Sequence, residues 1–263
     1  MSSSPPIVLA FAASDPTGGA GLQADLLTLA SLGCHPLSVL TALTVQDTHG
    51  VERLLAIEPD WVASQARRVL EDIPVAAFKL GVLASARNAQ IIAAILAEHP
   101  RPPVVLDPVL GSGRGDTLAD SETVQAMRSA LLPRTTVLTP NSVEARRLAG
   151  ATAQADLAGC ARELTKLGCQ YVLVTGTHEA GAQVVNTLYD AHGVVREDRW
   201  QRLPASYHGS GCTLASALAA LLAKGMAVPE AVQAAQAYTW KALAAGFRPG
   251  RGQHLPNRFF EKP

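Results

Sequence analysis

The sequence has few charged residues and no excess of either sign. Charged side chains make up 17% of its 263 residues, and 22 basic side chains balance 22 acidic ones, for a formal net charge of +0. Proteins that bind nucleic acids or anionic membranes through their overall field carry concentrated positive charge, so this balance excludes that class. The 48% of hydrophobic residues can instead form a sizeable core, which excludes a wholly disordered chain.

Membrane and export signals are equally scarce. No apolar run approaches the roughly 18 residues that a membrane helix needs. The apolar stretch Ile7–Ala13 has no basic residues before it, so it is predicted to be a strand and not part of a signal peptide. The four cysteines (Cys34, Cys160, Cys169 and Cys212) include no Cys-x-x-Cys pair. We therefore expect a reduced, cytoplasmic protein that binds neither nucleic acid nor membrane.

Short apolar runs alternate with amphipathic segments along the chain. The predicted strands are Ile7–Ala13, Leu37–Val45, Val75–Leu80, Val104–Leu106, Thr136–Leu138 and Tyr171–Val174, followed by a hairpin of Gln183–Tyr189 and Gly193–Arg202. The predicted helices are Leu22–Leu32, Pro59–Ile73, Ala86–Glu98, Ser142–Leu148, Leu157–Leu167, Cys212–Lys224 and Pro229–Ala245. This rhythm is typical of α/β proteins with a mostly parallel sheet covered on both faces. Ligands of such sheets bind beyond the carboxyl ends of the strands.

A glycine-rich segment directly before a predicted helix is the strongest local motif. In residues 208–213 (His-Gly-Ser-Gly-Cys-Thr), the glycines allow successive backbone N–H groups to converge on an anion, and the helix dipole adds to the attraction. At this position we expect the pKa of the Cys212 thiol to be lowered, so that the cysteine could act as a base. The alternative is a glycine-rich loop above a small buried cysteine, and spacing alone does not decide between the two.

Two common nucleotide-binding fingerprints are missing. The chain has no Gly-x-x-x-x-Gly-Lys-Ser/Thr, and Gly18–Gly21 does not match Gly-x-Gly-x-x-Gly, so a P-loop enzyme and a dinucleotide-binding fold are both disfavoured. The segment Ser14–Gly21 joins a predicted strand to a predicted helix, and its glycines let the backbone approach a ligand closely. An ordinary strand-to-helix turn is the preferred interpretation of this segment taken alone.

Polar side chains follow three of the predicted strands. Asp107 and Glu144 each come just after a strand, and two carboxylates at neighbouring strand ends could hold Mg²⁺ for phosphoryl transfer. Alternatively, Asp107 is a turn residue before a proline, and Glu144 caps the helix that begins after Asn141, which is the preferred interpretation of Glu144 alone. Gln46 presents an amide that matches the edge of a heteroaromatic ring, or else it belongs to a polar turn.

Taken together, these segments resemble the hydroxymethylpyrimidine/phosphomethylpyrimidine kinases of thiamine synthesis, within the ribokinase-like superfamily. Six matching pieces occur in the order found in that family: residues 14–25, 41–51, 79–83, 107–109, 139–145 and 208–214. The resemblance implies one kinase domain over residues 1–263, with a three-layer αβα fold, a mostly parallel sheet and a late antiparallel hairpin. It also implies a homodimer that transfers the γ-phosphoryl group of ATP to the hydroxymethyl group of a small pyrimidine.

The same resemblance implies roles for individual residues. Cys212 would be the catalytic base, and an anion hole would be formed with it by Gly209, Ser210 and Gly211. The pyrimidine pocket would be lined by Gln46, Asp25, Val82 and the backbone near Ala13 and Ala20. Mg²⁺ would be organised by Asp107 and Glu144, and the ATP side of the site would include Asn141 and Thr175.

The chain departs from the family pattern at two places. Thr175 stands where the family usually has the lysine of Lys-Gly-Gly-His, and Ala13 replaces a common glycine. The lysine would normally touch the ATP phosphates. Its charge would have to be replaced by Mg²⁺, by the helix start at Cys212, or by Arg114 in a glycine-rich segment that could act as a lid. Two other functions stay open: a pyridoxal-type vitamin kinase and a catalytically weak pyrimidine-binding protein.

Overall fold

The backbone is organised around one mixed β-sheet. The structure is a computed structural model that describes residues 4–111 and 115–261. Its strands are β1 (Ile7–Ser14), β2 (His35–Gln46), β3 (Val51–Ala56), β4 (Ala77–Leu80), β5 (Val104–Leu106), β6 (Val137–Leu138), β7 (Tyr171–Thr175), β8 (Gln183–Asp190) and β9 (Gly193–Gln201). Their order across the sheet is β3-β2-β1-β4-β5-β6-β7-β8-β9. The pairs from β2 to β7 in that order are parallel, whereas β3, β8 and β9 pair antiparallel. The predicted mostly parallel sheet and late hairpin are confirmed.

Helices cover both faces of this sheet. They are α1 (Gly21–Ser31), α2 (Pro59–Asp72), α3 (Ala86–Glu98), α4 (Ser121–Ala126), α5 (Ser142–Ala149), α6 (Leu157–Lys166), α7 (Ser210–Ala223) and α8 (Val228–Ala244). Helix α4 continues through a π-helical turn at Met127–Leu131 and a 3-10 turn at Leu132–Arg134. In the part of the chain that the structure describes, no helix is long and apolar enough to span a bilayer.

Alternation along the strands divides the apolar side chains between two cores. Leu9 and Leu106 face a core shared with α2 to α6, while their neighbours Val8 and Val105 face a second core shared with α1, α7 and α8. Successive side chains of a strand point to opposite faces, so a strand buried on both sides reads as a continuous apolar run. The two cores make the predicted three layers, with α7 packed against the middle of the sheet.

Two elements depart from the sequence-based expectation. β3 follows β2 through a turn in which the Asp47 carboxylate accepts the N–H of His49 at 2.7 Å. This hairpin makes Gln46 the last residue of β2 and not part of a loop. Most residues of β3 are half-buried or exposed, so they lack the apolar pattern of a buried strand. The short helix α4 was also not predicted, because its change to a π-helical turn interrupts the helical period.

Candidate active site

A cleft of about 600 Å³ opens at the carboxyl edge of the parallel strands. Its walls come from the segments after β1, β4, β5, β6 and β7, from β2 and β3, and from the start of α7. It is lined by twelve of the residues singled out in the sequence: Ala13, Ala20, Gln46, Val82, Asp107, Asn141, Glu144, Thr175, Gly209, Ser210, Gly211 and Cys212. Parallel strands carry their carboxyl ends to one edge, which is why these distant segments meet. Asp25 does not line the cleft, and Arg114 lies outside the described residues.

The glycine-rich segment before α7 is held tightly against the turn that follows β1. Gly209 has a φ of +81°, and a Cβ atom there would overlap the carbonyl oxygen of Gly19. Only glycine combines this left-handed conformation with so close an approach. Among the described residues, no side chain caps α7, so the N–H groups of its first turn are left to the cleft. An uncapped helix start of this kind is suited to an anion.

The Cys212 thiol lies at this helix start and is 9% exposed. Burial raises its pKa to about 12, although the positive charge of Lys79 acts in the opposite direction. The predicted lowering of this pKa is therefore wrong, because desolvation and the charges of Asp107 and Asp25 outweigh the opposing effects of Lys79 and of a backbone hydrogen bond with Gly21. At neutral pH, Cys212 is a thiol within hydrogen-bonding reach of the Asp107 carboxylate.

The carboxylates of Asp107 and Glu144 lie close enough for their charges to interact. Burial raises the pKa of Asp107 to about 6, and burial together with the Asp107 charge raises that of Glu144 to about 8. Within the described residues, Asp107 Oδ2 is buried without a hydrogen-bond partner. A divalent cation would offset the repulsion and engage this oxygen, so the residues fit Mg²⁺.

Glu144 also has a structural role at the start of α5. Its Oε2 accepts the Asn141 N–H at 3.0 Å, and its Oε1 accepts the Leu110 N–H at 3.3 Å. Asn141 in turn caps α5, which completes a capping box. The capping interpretation of Glu144 is confirmed, and Asp107 is the carboxylate with an oxygen to spare for a metal ion.

One end of the cleft is walled by the β2–β3 hairpin. Thr44 and Gln46 face the cleft from β2, and Val51 and Leu54 face it from β3. Val82 also lines the cleft, and its carbonyl accepts the Thr41 hydroxyl at 2.5 Å. Aliphatic side chains around one primary amide suit a flat heteroaromatic ring that needs both apolar contact and hydrogen bonding at its edge.

Comparison with known proteins decides the family. Residues 15–257 match the family model described as phosphomethylpyrimidine kinase. The chain belongs to this family. The hydroxymethylpyrimidine/phosphomethylpyrimidine kinase of Streptomyces coelicolor is 43% identical over 254 residues, which cover 94% of this chain and 92% of that relative. The resemblance based on six motifs is confirmed, and the protein is a kinase.

Solved structures agree with the fold of this kinase. The phosphomethylpyrimidine kinase of Clostridium difficile superposes with a TM-score of 0.79 at 32% identity, covering 90% of this chain and 99% of that one. The pyridoxal kinase of Staphylococcus aureus, solved with pyridoxal, superposes with a TM-score of 0.90 at 26% identity, covering 99% and 96%. The expected ribokinase-like α/β fold is confirmed.

In this kinase, Asp25 lies beneath the cleft and not in its wall. Its carboxylate is fully buried, holds Lys79 Nζ at 2.8 and 2.9 Å, and accepts the Ser216 hydroxyl at 2.7 Å. Burial alone would lower the pKa of Lys79, but the attraction of Asp25, Cys212 and Asp107 raises it above its ordinary value. Lys79 is therefore a permanent cation beneath the cleft. Contact with a pyrimidine is left to the other predicted residues.

A second polar contact that the sequence does not reveal joins the two glycine-rich turns of the kinase. His208 Nε2 lies 2.8 Å from Asp15 Oδ2, and the Asp15 carboxylate also accepts the N–H groups of Thr17 and Ala20 at 2.8 and 2.7 Å. Burial would raise the pKa of Asp15, but these bonds hold it below its ordinary value. The partners are 193 residues apart in the chain, so no local spacing could reveal the pair.

The end of β7 at Thr175 is fixed by hydrogen bonds. The Thr175 N–H donates to the Pro140 carbonyl at 2.9 Å. The next N–H, of Gly176, donates to Asn186 Oδ1 at 3.0 Å, and Asn186 Nδ2 donates to Gln236 Oε1 at 2.8 Å. Thr175, Asn186 and Gln236 all line the cleft, and so does Arg202, which donates to the Thr177 carbonyl at 2.8 Å. This part of the wall is therefore polar and includes the Arg202 guanidinium.

Proposed function

We propose that this kinase transfers the γ-phosphoryl group of ATP to the hydroxymethyl group of 4-amino-5-hydroxymethyl-2-methylpyrimidine. In a second reaction it phosphorylates the monophosphate, giving the pyrimidine diphosphate for thiamine synthesis. The observation that carries this proposal is the cleft, in which an uncapped helix start, a thiol and two carboxylates lie beside the wall that presents Gln46. The name of the Streptomyces relative supports the substrate, and Staphylococcus pyridoxal kinase structures with ADP and with AMP-PCP support the nucleotide.

Phosphoryl transfer depends on positioning and charge stabilisation more than on covalent chemistry. The N–H groups at Ser210, Gly211 and Cys212 would stabilise negative charge on the oxygens of the transferring group. The substrate hydroxyl becomes acidic as its bond to phosphorus forms, and Cys212 would then accept its proton. A neutral thiol can do so only while giving up its own proton. The Asp107 carboxylate would take that proton through the oxygen that faces the thiol, which leaves Oδ2, without a partner among the described residues, for Mg²⁺.

Mg²⁺ would be held by Asp107, with Glu144 beside it, and would supply charge neutralisation at the phosphates. The protein residues have a separate task, which is to place the nucleotide phosphates and the hydroxymethyl group in line. The wall of Thr44, Gln46, Val51 and Leu54 would hold the ring so that its hydroxymethyl group points toward the start of α7.

Pyridoxal is the second candidate substrate, because the fold superposes well on a pyridoxal kinase. The deciding experiment is a substrate panel with Mg²⁺ and ATP, in which ADP release is measured with the hydroxymethylpyrimidine, its monophosphate and pyridoxal. We expect the highest kcat/KM for the two pyrimidines. A higher kcat/KM for pyridoxal would replace the proposed substrate, and binding of the pyrimidine without turnover would identify a non-catalytic binding protein.

The proposed base is tested by Cys212→Ala. We expect turnover to fall at least ~100-fold, the usual scale for loss of a general base, while AMP-PCP and the pyrimidine still bind. Cys160→Ala is the matched control, because Cys160 is also a buried cysteine but lies in α6 and does not line the cleft. Turnover of Cys212→Ala within a few-fold of wild type would remove Cys212 from this role.

We also propose that the kinase is a homodimer formed through the outer face of β2 and β3. Leu43 and Leu55 are paired across these strands, and Leu43, Val45 and Leu55 are 45%, 46% and 64% exposed. The opposite face of the same strands lines the cleft. An exposed apolar face of this kind favours a protein partner. Sedimentation should give a dimer for wild type and a monomer for Leu55→Glu, whereas a monomeric wild type would refute the proposal.

The extent of the domain and its location are also proposals. One continuous sheet from β1 to β9 supports a single kinase domain over residues 1–263. The four cysteines are free, in keeping with the reducing conditions of the cytoplasm. Limited proteolysis that released a stable fragment smaller than the chain would contradict the single domain, and fractionation of cells would test the location.

A further inference from the structure

A segment near the carboxyl terminus crosses behind the anion-receiving part of the cleft. Residues 253–258, called here the C-terminal strap, are tied to the segment before α7 by the His208 N–H, which donates to the carbonyl of His254 at 2.9 Å. Leu255 packs against Gly19, where a Cβ atom would overlap both Leu255 and His208. The strap therefore holds the two glycine-rich turns together, and its first residue, Gln253, reaches the cleft.

Arg258, at the end of the strap, carries a charge that is almost completely buried, since only 5% of the residue is exposed. Its Nη2 donates to the Gly19 carbonyl at 2.5 Å, its Nη1 to the Gly18 carbonyl at 3.3 Å, and its Nε to the Thr213 hydroxyl at 3.2 Å. The Thr213 hydroxyl in turn donates to the Gly209 carbonyl at 2.8 Å. One guanidinium group thus joins the turn after β1 to the first turn of α7.

Among the described residues, the charge on Arg258 has no counter-charge of its own. Its three hydrogen-bond acceptors are neutral oxygen atoms, and the two carboxylates whose charges reach it, Asp25 and Asp15, already engage Lys79 and His208. A cation beside the amino-terminal end of a helix is unfavourable, because that end is already positive, and burial adds a further cost. Lys79 is different, because Asp25 neutralises it. An anion bound at the start of α7 would compensate Arg258 and the helix end together.

We propose that Arg258 is a positioning residue for the ATP phosphates. It locks the two glycine-rich turns into the arrangement that receives the phosphates, and it adds positive charge beside the start of α7. Arg258 acts through Gly18, Gly19 and Thr213 and does not touch the nucleotide itself. This inference rests on the proposed function, because it takes the start of α7 as the phosphate site.

The test compares a nucleotide with phosphates and one without. Calorimetry measures the binding of AMP-PCP with Mg²⁺, and of adenosine, to wild type, Arg258→Gln, Arg258→Lys and the matched control Arg251→Gln, which changes an exposed arginine of the neighbouring turn. Arg258→Gln should weaken AMP-PCP binding roughly tenfold or more and adenosine binding less than about twofold. The AMP-PCP affinity of Arg258→Lys should lie between those of wild type and Arg258→Gln, because lysine keeps the positive charge but lacks the planar guanidinium with its several donors. Arg251→Gln should change neither.

Thr213→Val provides a second route if the Arg258 variants do not fold. It breaks the link from Arg258 to Gly209 while the charge stays, so KM for ATP should rise with little change in kcat, and Thr213→Ser should restore it. Equal loss of adenosine and AMP-PCP affinity would overturn the proposal, as would a lowered melting temperature with unchanged AMP-PCP binding. Because the calorimetry needs no pyrimidine, its result stands even if the proposed substrate proves wrong.

Discussion

The buried ion pair beneath the cleft should be one of the costliest places in this kinase to remove a charge. Lys79, Asp25 and Ser216 are each 0% exposed, and the Asp25 carboxylate holds the ammonium group at 2.8 and 2.9 Å. Lys79→Met keeps an unbranched apolar stem but leaves Asp25 charged where water does not reach. Breaking a buried pair from one side costs about 3–5 kcal/mol. The single hydroxyl of Ser216 cannot replace a full counter-charge.

Removing both charges should cost much less than removing one. In the double variant Lys79→Met/Asp25→Leu no uncompensated charge remains, so most of the lost stability should return. The pH dependence is fixed by the raised pKa of Lys79. The contribution of the pair is fully present below the unfolded-state pKa of about 10.4 and is lost only as the pH rises through the higher folded-state value. Lys79 itself should therefore add no pH dependence to the stability of wild type below about pH 9.

Urea unfolding of wild type, Lys79→Met, Asp25→Leu and the double variant measures this free energy. The matched control is Arg68→Met, because the ion pair of Arg68 with Glu71 is exposed by 87% and 65% and should contribute almost nothing. A loss in Lys79→Met no larger than that in Arg68→Met would refute the reasoning. So would a double variant as unstable as the sum of its two single changes, since that result would show no coupling between the partners.

Three further predictions concern the cleft. Gln46→Leu should weaken binding of the hydroxymethylpyrimidine by roughly 1–3 kcal/mol, because polar groups at the ring edge lose their hydrogen-bond partner. Binding of AMP-PCP should not change. An unchanged pyrimidine affinity in calorimetry would show that Gln46 does not contact the ring. Gly209→Ala should lower stability and activity more than Gly225→Ala. Both glycines have a positive φ, but only at Gly209 would the added Cβ atom overlap neighbouring backbone. Equal urea midpoints for the two variants would contradict this. The pKa of Glu144 is raised to about 8, so its contribution to stability is present below the unfolded value of about 4.3 and falls as the pH rises toward 8. Glu144→Gln should flatten the midpoint against pH in that window, and an unaltered slope would mean that Glu144 titrates elsewhere.

The layout of the fold is largely readable from the sequence, because its central strands are short apolar runs flanked by amphipathic helices. Strands such as Val104–Leu106 are buried on both faces, so each reads as a continuous apolar run. β3 was not predicted, because it lies at the sheet edge and its residues are half-buried or exposed, so it has no continuous apolar run. Its pairing with β2 follows from the turn at Asp47, in a segment for which the sequence indicates a ring-edge contact or a polar turn but no further strand.

The candidate site could also be predicted only in part. The motifs that carry Gln46, Asp107 and Cys212 are short and continuous in the sequence, and the structure brings them to one cleft. The residues that surround these side chains come from distant parts of the chain. The pairing of His208 with Asp15 spans 193 residues, and that of Arg258 with Gly19 spans 239. The error in the pKa of Cys212 has the same origin, since depth of burial and the charges of distant segments cannot be read from a helix start.

Positive charge reaches the cleft from two sides, although position 175 carries a neutral threonine. Arg202 lines the cleft and donates to the Thr177 carbonyl at 2.8 Å, two residues beyond Thr175. At the other side, the amino-terminal end of α7 contributes about half an elementary charge, and Arg258 lies beside its first turn. The α7 side would act on the group that is transferred, where negative charge changes most during the reaction. A role for Arg114 stays a prediction.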